Sequence, residues 1–175
     1  MSANTDDVQV RVVCHSDRER VIDLISTVTS EEKQLQTGAY QATPTWERLL
    51  SEGICYEDGF VLLVAEVEGH IVGFTRLTSG ACGPKDRHVG NVGIVIQREY
   101  RSKGIGSTLL EELLHLTPDL GCSKLTAEVI ASNECSKHLF EKFGFQVEGV
   151  RHQQFRIGDE YVDEILLATW LPTEC

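Results

Sequence analysis

Val8, Val10 and Val12 alternate with Gln9 and Arg11, a period of two that predicts a first strand. Asp17 then heads a run in which Val21, Ile22, Leu24, Ile25 and Val28 fall on one helical face, so a helix capped by Asp17 is expected. A polar stretch over residues 29–42 separates it from Thr43-Pro44, which opens a short helix carrying Trp46, Leu49 and Leu50 and ended by Gly53. Residues 60–67 and 71–77 are β-rich runs joined by Glu68-Gly69-His70, a hairpin signal, and residues 78–87 read as a loop of glycine, proline and charge. The next strand covers 88–96 and the next helix 105–116, broken by Pro118-Asp119-Leu120-Gly121. A strand over 124–129, a helix over 134–143, and two strands over 145–156 and 161–169 with a turn at Gly158-Asp159-Glu160 complete the pattern. Paired strands among single helices, with one strand–helix–strand in the middle, imply an α/β fold with a mixed sheet.

The chemistry begins where the strand at Ile94, Val95 and Ile96 runs into Arg101-Ser102-Lys103-Gly104-Ile105-Gly106-Ser107. A helix start leaves about four backbone N–H groups without intrahelical partners and carries the positive end of the macrodipole, so it favours an anion. Gly104 and Gly106 let a phosphate approach with no Cβ in the way, and Arg101 and Lys103 add positive charge. A Walker A loop needs Lys-Ser/Thr closing a longer glycine loop, and Lys103 instead precedes Gly104. A dinucleotide fingerprint needs a third glycine three residues after Gly106, where Leu109 stands. A nucleotide-binding domain is therefore disfavoured.

Arg-x-x-Gly-x-Gly after an apolar strand resembles the acetyl-CoA signature of the GNAT N-acyltransferase superfamily. The segment from Leu125 through Glu128 to Asn133, followed by His138-Leu139-Phe140-Glu141-Lys142-Phe143-Gly144-Phe145, resembles that superfamily's second half-signature, in the same order and at about the usual separation. Glu128 and Asn133 look most like those of ribosomal-protein alanine acetyltransferases and their small-molecule relatives. The resemblance implies a mostly antiparallel central sheet flanked by helices, with strands splayed at the cofactor site. It also implies acetyl-CoA as co-substrate, its pyrophosphate on the amides of residues 102–107 and its pantetheine arm beside Ile94, Val95 and Ile96. Transfer would be direct and sequential, to a primary amine of a small molecule or peptide, and relatives often dimerise.

In that frame Glu128 takes the place of the general base, although strand alternation alone puts it equally well on a solvated face. Asn133 matches a cofactor-bonding residue and is also a natural helix cap, a task that Ser132 could fill instead. Phe140 stands where many relatives carry a tyrosine that protonates the departing thiolate. It would pack against the cofactor arm or the core; water, Cys135, Tyr161 or Tyr100 are candidate replacements for the missing acid, which turnover need not require because a thiolate is a tolerable leaving group. That absence keeps a second reading open, a non-catalytic acyl-CoA-binding module. Lys142 is either a cation near the cofactor phosphates or a charge on an exposed helix face, and Trp46 and Tyr56 either line the acceptor pocket or pack in the core. Acceptor specificity is expected in residues 27–58 and in the loop before His88.

The chain's 175 residues suit one domain, 1–175, with its core over about 8–169. No run approaches the roughly 18 apolar residues of a membrane span, and residues 1–9 are polar and acidic rather than a signal peptide, so the cytoplasm is the expected location. Six cysteines show no Cys-x-x-Cys spacing and six histidines are dispersed, so no metal site is expected, and most of the cysteines should be buried small hydrophobes. A net charge of −11 argues against nucleic acid and is compatible with a cationic acceptor.

Overall fold

The computed structural model describes residues 8–31 and 41–171. In chain order its elements are β1 (Gln9–Val12), α1 (Arg18–Glu31), α2 (Pro44–Glu52), β2 (Ile54–Cys55), β3 (Phe60–Val67), β4 (His70–Ser79), β5 (Val89–Ile96), α3 (Ile105–Leu116), β6 (Lys124–Ile130), α4 (Glu134–Lys142), β7 (Gln146–Ile157) and β8 (Glu160–Trp170). The sheet runs β1-β3-β4-β5-β6-β8-β7, with β2 paired to β3, and β5–β6 is its parallel pair. The architecture is the mixed, mostly antiparallel sheet with flanking helices that the pattern and the resemblance implied. Sequence reading missed the two-residue β2 and the extension of β4 to Ser79.

Alternation along β3 assigns the two faces. Val61, Leu63, Ala65 and Val67 pack with Ile105, Leu109, Leu110 and Leu113 of α3 and with Phe140 of α4. Phe60, Leu62 and Val64 pack with Val21, Leu24, Ile25 and Val28 of α1 and with Leu49 and Leu50 of α2. Covered on both sides, β3 is apolar at every position but the half-buried Glu66 near its end. Each leucine buried this fully contributes on the order of 1.5–3 kcal/mol. The β3–β4 turn has positive φ at both Glu68 (49°) and Gly69 (78°), the backbone of a type I′ hairpin turn.

Two expectations need correction. Asp17 is not the simple cap of α1. It closes the short 3-10 turn before the helix, accepting from Cys14 N at 2.9 Å and pairing with Arg11 at 2.6 Å and Arg20 at 3.0 Å. Arg11 also reaches Glu66 at 2.6 Å, so one ionic cluster ties β1, β3 and the start of α1 together. The hydrogen bond from Arg11 holds the Asp17 carboxyl well below the usual carboxylate range. The cysteines differ as well. Cys122 is buried, but Cys14, Cys82 and Cys135 are exposed and Cys55 is half-buried, all as free thiols.

Candidate active site

The β5–β6 ladder has three rungs, Val89↔Lys124, Gly90↔Leu125 and Asn91↔Thr126. Past them β5 stays paired with β4 as far as Ile96↔Gly73, while β6 stays paired with β8 as far as Ile130↔Glu164. Two strands held by different neighbours must part, and the edge of β5 that faces β6 is left open. Gln97 N donates to Val72 O at 2.9 Å, which sets the phase of the β4–β5 ladder. Because antiparallel strands alternate which side their backbone groups face, Gly93 and Val95 turn theirs to β4. Ile94 and Ile96 therefore turn theirs to the opening. Of the three residues expected to line the cofactor arm, Ile94 and Ile96 are so placed, whereas the backbone of Val95 faces β4 and its side chain packs against the α1–α2 core cluster.

Beyond β5 the chain passes through a 3-10 turn at Arg98–Tyr100 and enters α3. Gly104 precedes the helix at φ 83° and Ser102 sits at φ 58°, both left-handed. Only glycine takes that conformation without strain, which accounts for Gly104. Gly104 O accepts from Ser107 N at 2.9 Å and Thr108 N at 3.1 Å. Among the described residues no acceptor bonds the amides of Ser102, Lys103, Gly104, Ile105 or Gly106, and no side chain caps the helix. Five adjacent N–H groups at a helix start form an anion cradle.

The flanking residues differ in what they do. Arg101 Nε donates to Ile96 O at 2.9 Å, lashing the turn to the end of β5. Lys103 Nζ lies 5.2 Å from the centre of the Tyr100 ring. Gly106 is buried, and a Cβ there would stand 3.0 Å from Leu139 Cδ2 and 3.1 Å from Ile96 Cδ1. Its missing side chain thus allows the close packing of α3 on β5 and α4. Lys142, at the end of α4, donates to Ser107 Oγ at 3.1 Å and brings a cation to the cradle's rim while staying exposed.

Glu128, Thr126, Asn91 and Gly93 share the sheet face on which α1 and α2 pack, as the ladder registers require. Glu128 lies where β6 has parted from β5 while still paired with β8, its side chain 38% exposed, with Arg151 Nη1 at 3.4 Å. That guanidinium is held more tightly by Glu164, at 2.7 Å, a carboxylate 2% exposed. Glu164 therefore takes most of the Arg151 charge and leaves Glu128 loosely held. Sequence reading missed Arg151 and Glu164 because their partnership depends on the β7–β8 and β6–β8 registers. It also missed Arg76 of β4, which donates to Thr78 Oγ1 and Asn91 Oδ1, both at 3.5 Å. Burial pushes the Arg76 guanidinium below its ordinary pKa, and nearby Glu128 opposes that shift.

Asn133 Oδ1 accepts from Ser136 N at 3.2 Å, so Asn133, not Ser132, caps α4. Its amide nitrogen keeps two donors for another partner. Phe140 is 4% exposed and packs on Phe145 with ring centres 5.0 Å apart, which places it in the core. Trp46, half-buried, meets Phe74 edge-on at 5.8 Å at the margin of the α1–α2 core cluster, whereas Tyr56, Tyr161, Cys135 and His138 are exposed. Among the described residues no helix is long and apolar enough to cross a membrane, and no group of three or more His, Cys, Asp or Glu side chains is placed to hold a metal ion.

The family model of the acetyltransferase (GNAT) family matches residues 25–145. The L-amino acid N-acetyltransferase AaaT of Escherichia coli K12 is 24% identical over 123 residues, 70% of this chain and 75% of that protein. The ribosomal protein bS18-alanine N-acetyltransferase of the same organism is 32% identical over 75 residues, 43% of this chain and 51% of that protein. Among solved structures, yncA from Salmonella typhimurium with its cofactor acetyl-CoA superposes with a TM-score of 0.83, covering 96% of each chain at 15% identity.

Proposed function

As a member of the acetyltransferase (GNAT) family this chain is an acetyl-CoA-dependent N-acetyltransferase, and we propose that it transfers the acetyl group directly to a primary amine, with Glu128 as the base. The observation that carries this reading is the junction of an open β5 edge with a helix start whose amides have no acceptor among the described residues. The residues fit the co-substrate. The amides of Ser102 to Gly106, with Lys142 beside them, would hold its pyrophosphate, and the backbone groups of Ile94 and Ile96 would pair with the amides of its arm. Bound there, acetyl-CoA supplies an acyl group on a thioester, which an uncharged amine attacks.

The N–H of Ile94 or Ile96 would stabilise charge developing on the thioester oxygen, a contribution often worth about 10²–10³ in rate. An amine of lysine type, with pKa near about 10.4, is almost wholly protonated at neutral pH, so it must give up a proton before it can attack. Glu128 accepts that proton, directly or through a water. As the new C–N bond forms, the C–S bond breaks and its electron pair leaves on sulfur. A thiolate with pKa near about 8.5 leaves without help, so Phe140 in the place of an acid does not bar turnover. Asn133 keeps its cap with Oδ1 and offers its amide hydrogens to the cofactor arm.

The test is acetyl transfer to a panel of amines, amino acids and peptides, monitored by release of free thiol. Turnover with acetyl-CoA that falls sharply in Glu128→Gln is expected. Binding without transfer to any member would favour the alternative of a non-catalytic acyl-CoA-binding module.

A further inference from the structure

Arg76 pairs with Gly93 across β4 and β5, on the face that carries Asn91, Thr126 and Glu128. A Cβ on Gly93 would stand 3.3 Å from Arg76 Nε and 3.4 Å from Cζ, so the bare backbone of Gly93 is the seat on which the guanidinium lies. Gly93 precedes Ile94, whose backbone faces the open edge.

The guanidinium is under-used. Of its five N–H donors, the described hydrogen bonds employ one nitrogen, Nη1, toward two neutral oxygens at 3.5 Å, beyond the usual range for such bonds. No carboxylate lies within ion-pair distance of it among the described residues, whereas Arg11, Arg20, Arg48 and Arg151 each have one at 3.0 Å or less. A cation drawn out of water without a counter-charge is costly. An anion arriving on this face would remove that cost.

We propose that Arg76 anchors a carboxylate of the acceptor, and that the acceptor is a free amino acid whose α-amine faces Glu128 while its α-carboxylate lies on Arg76. The proposal rests on this face being the acceptor side of the acetyl-transfer site. An α-amino acid carries a cation and an anion one carbon apart. The face carries the complements of both, a carboxylate on β6 and a guanidinium on β4, with Gly93 of β5 between them. Arginine suits the task because its planar fork grips a carboxylate with two parallel hydrogen bonds. A polyamine or aminoglycoside would set further positive charge against Arg76, and a peptide N-terminus offers an amide where the carboxylate is needed.

The test is steady-state kinetics with saturating acetyl-CoA on the twenty L-amino acids, each compared with its own amide and methyl ester, using the full chain. The best acid should exceed its amide and ester in kcat/KM by about 100-fold, the scale of a lost buried charge pair. Arg76→Gln should raise KM for the acid by a similar factor and level the preference, with KM for acetyl-CoA and the acetyl-CoA-induced rise in Tm unchanged. Arg76→Lys should restore part of the affinity. Equal rates on acids and amides, acetylation of peptides or polyamines but of no free amino acid, or an acid preference that survives Arg76→Gln would each overturn the proposal. The wild-type comparison stands even if the variants do not fold. A wild-type Tm that acetyl-CoA leaves unmoved would instead overturn the acetyltransferase reading beneath it.

Discussion

Lys142 Nζ donates to Ser107 Oγ at 3.1 Å, so the end of α4 is tied to the first turn of α3 at the rim of the amide cradle. The contact joins the two halves of the acetyl-CoA signature, and it puts an exposed cation at the rim of the five free-facing amides. Lys142→Ala should weaken acetyl-CoA binding by about tenfold, or about 1.4 kcal/mol. Calorimetric titration at low and high salt checks this, because the difference between variant and wild type should shrink as screening increases.

Glu128→Gln keeps the shape of the side chain and its place on β6 but cannot take a proton. Its kcat should fall by about 10²–10⁴ with KM for acetyl-CoA unchanged. An unaltered kcat would remove Glu128 from the mechanism and leave it as a charge on a solvated strand.

Phe140 and Gly106 are motif positions that are buried and closely packed. Phe140→Ala should cost about 3–5 kcal/mol in thermal or denaturant unfolding, as a deleted core ring does. Gly106→Ala should change stability by no more than about 1 kcal/mol, since the few tenths of an ångström that the ends of Leu139 and Ile96 must yield are offset by the helix propensity gained. A variant of full stability that binds acetyl-CoA poorly would return either residue to the cofactor.

Motif and fold were legible in the sequence to different depths. The β5–α3 junction was readable because its apolar strand, Gly104 and helix start are consecutive, and local backbone chemistry decides their shape. The division of labour within the junction was not. That Val95 faces β4 while Ile94 and Ile96 face the opening depends on the phase of a ladder with β4, and that Gly106 is closely packed depends on Leu139, some thirty residues onward. Asn133 illustrates the limit on a smaller scale. Two adjacent residues, Ser132 and Asn133, each had the chemistry of a cap, and only the geometry of the turn selects one. Arg76, Arg151 and Glu164 carry no local signal at all, because their significance comes from strands distant in sequence.

Asp17 links the fold to pH. Its carboxyl titrates well below the usual carboxylate range because Arg11 and the Cys14 amide favour the charged form. A depressed folded-state pKa contributes stability that is present above the unfolded value, near about 3.9, and is lost as pH falls below it. Stability of the wild type should therefore decline steeply below about pH 4. Asp17→Asn should cost on the order of 3 kcal/mol at neutral pH and flatten that decline, as measured by urea unfolding at several pH values.

The open β5 edge and the α3 amide cradle should together receive acetyl-CoA. Amide hydrogen exchange of the full chain with and without acetyl-CoA measures those N–H groups themselves. Slowed exchange at residues 102–106 and at Ile94 or Ile96, with Val95 unchanged, is the predicted result. Exchange at these amides that acetyl-CoA leaves unaltered at saturating concentration would mean that it does not bind there.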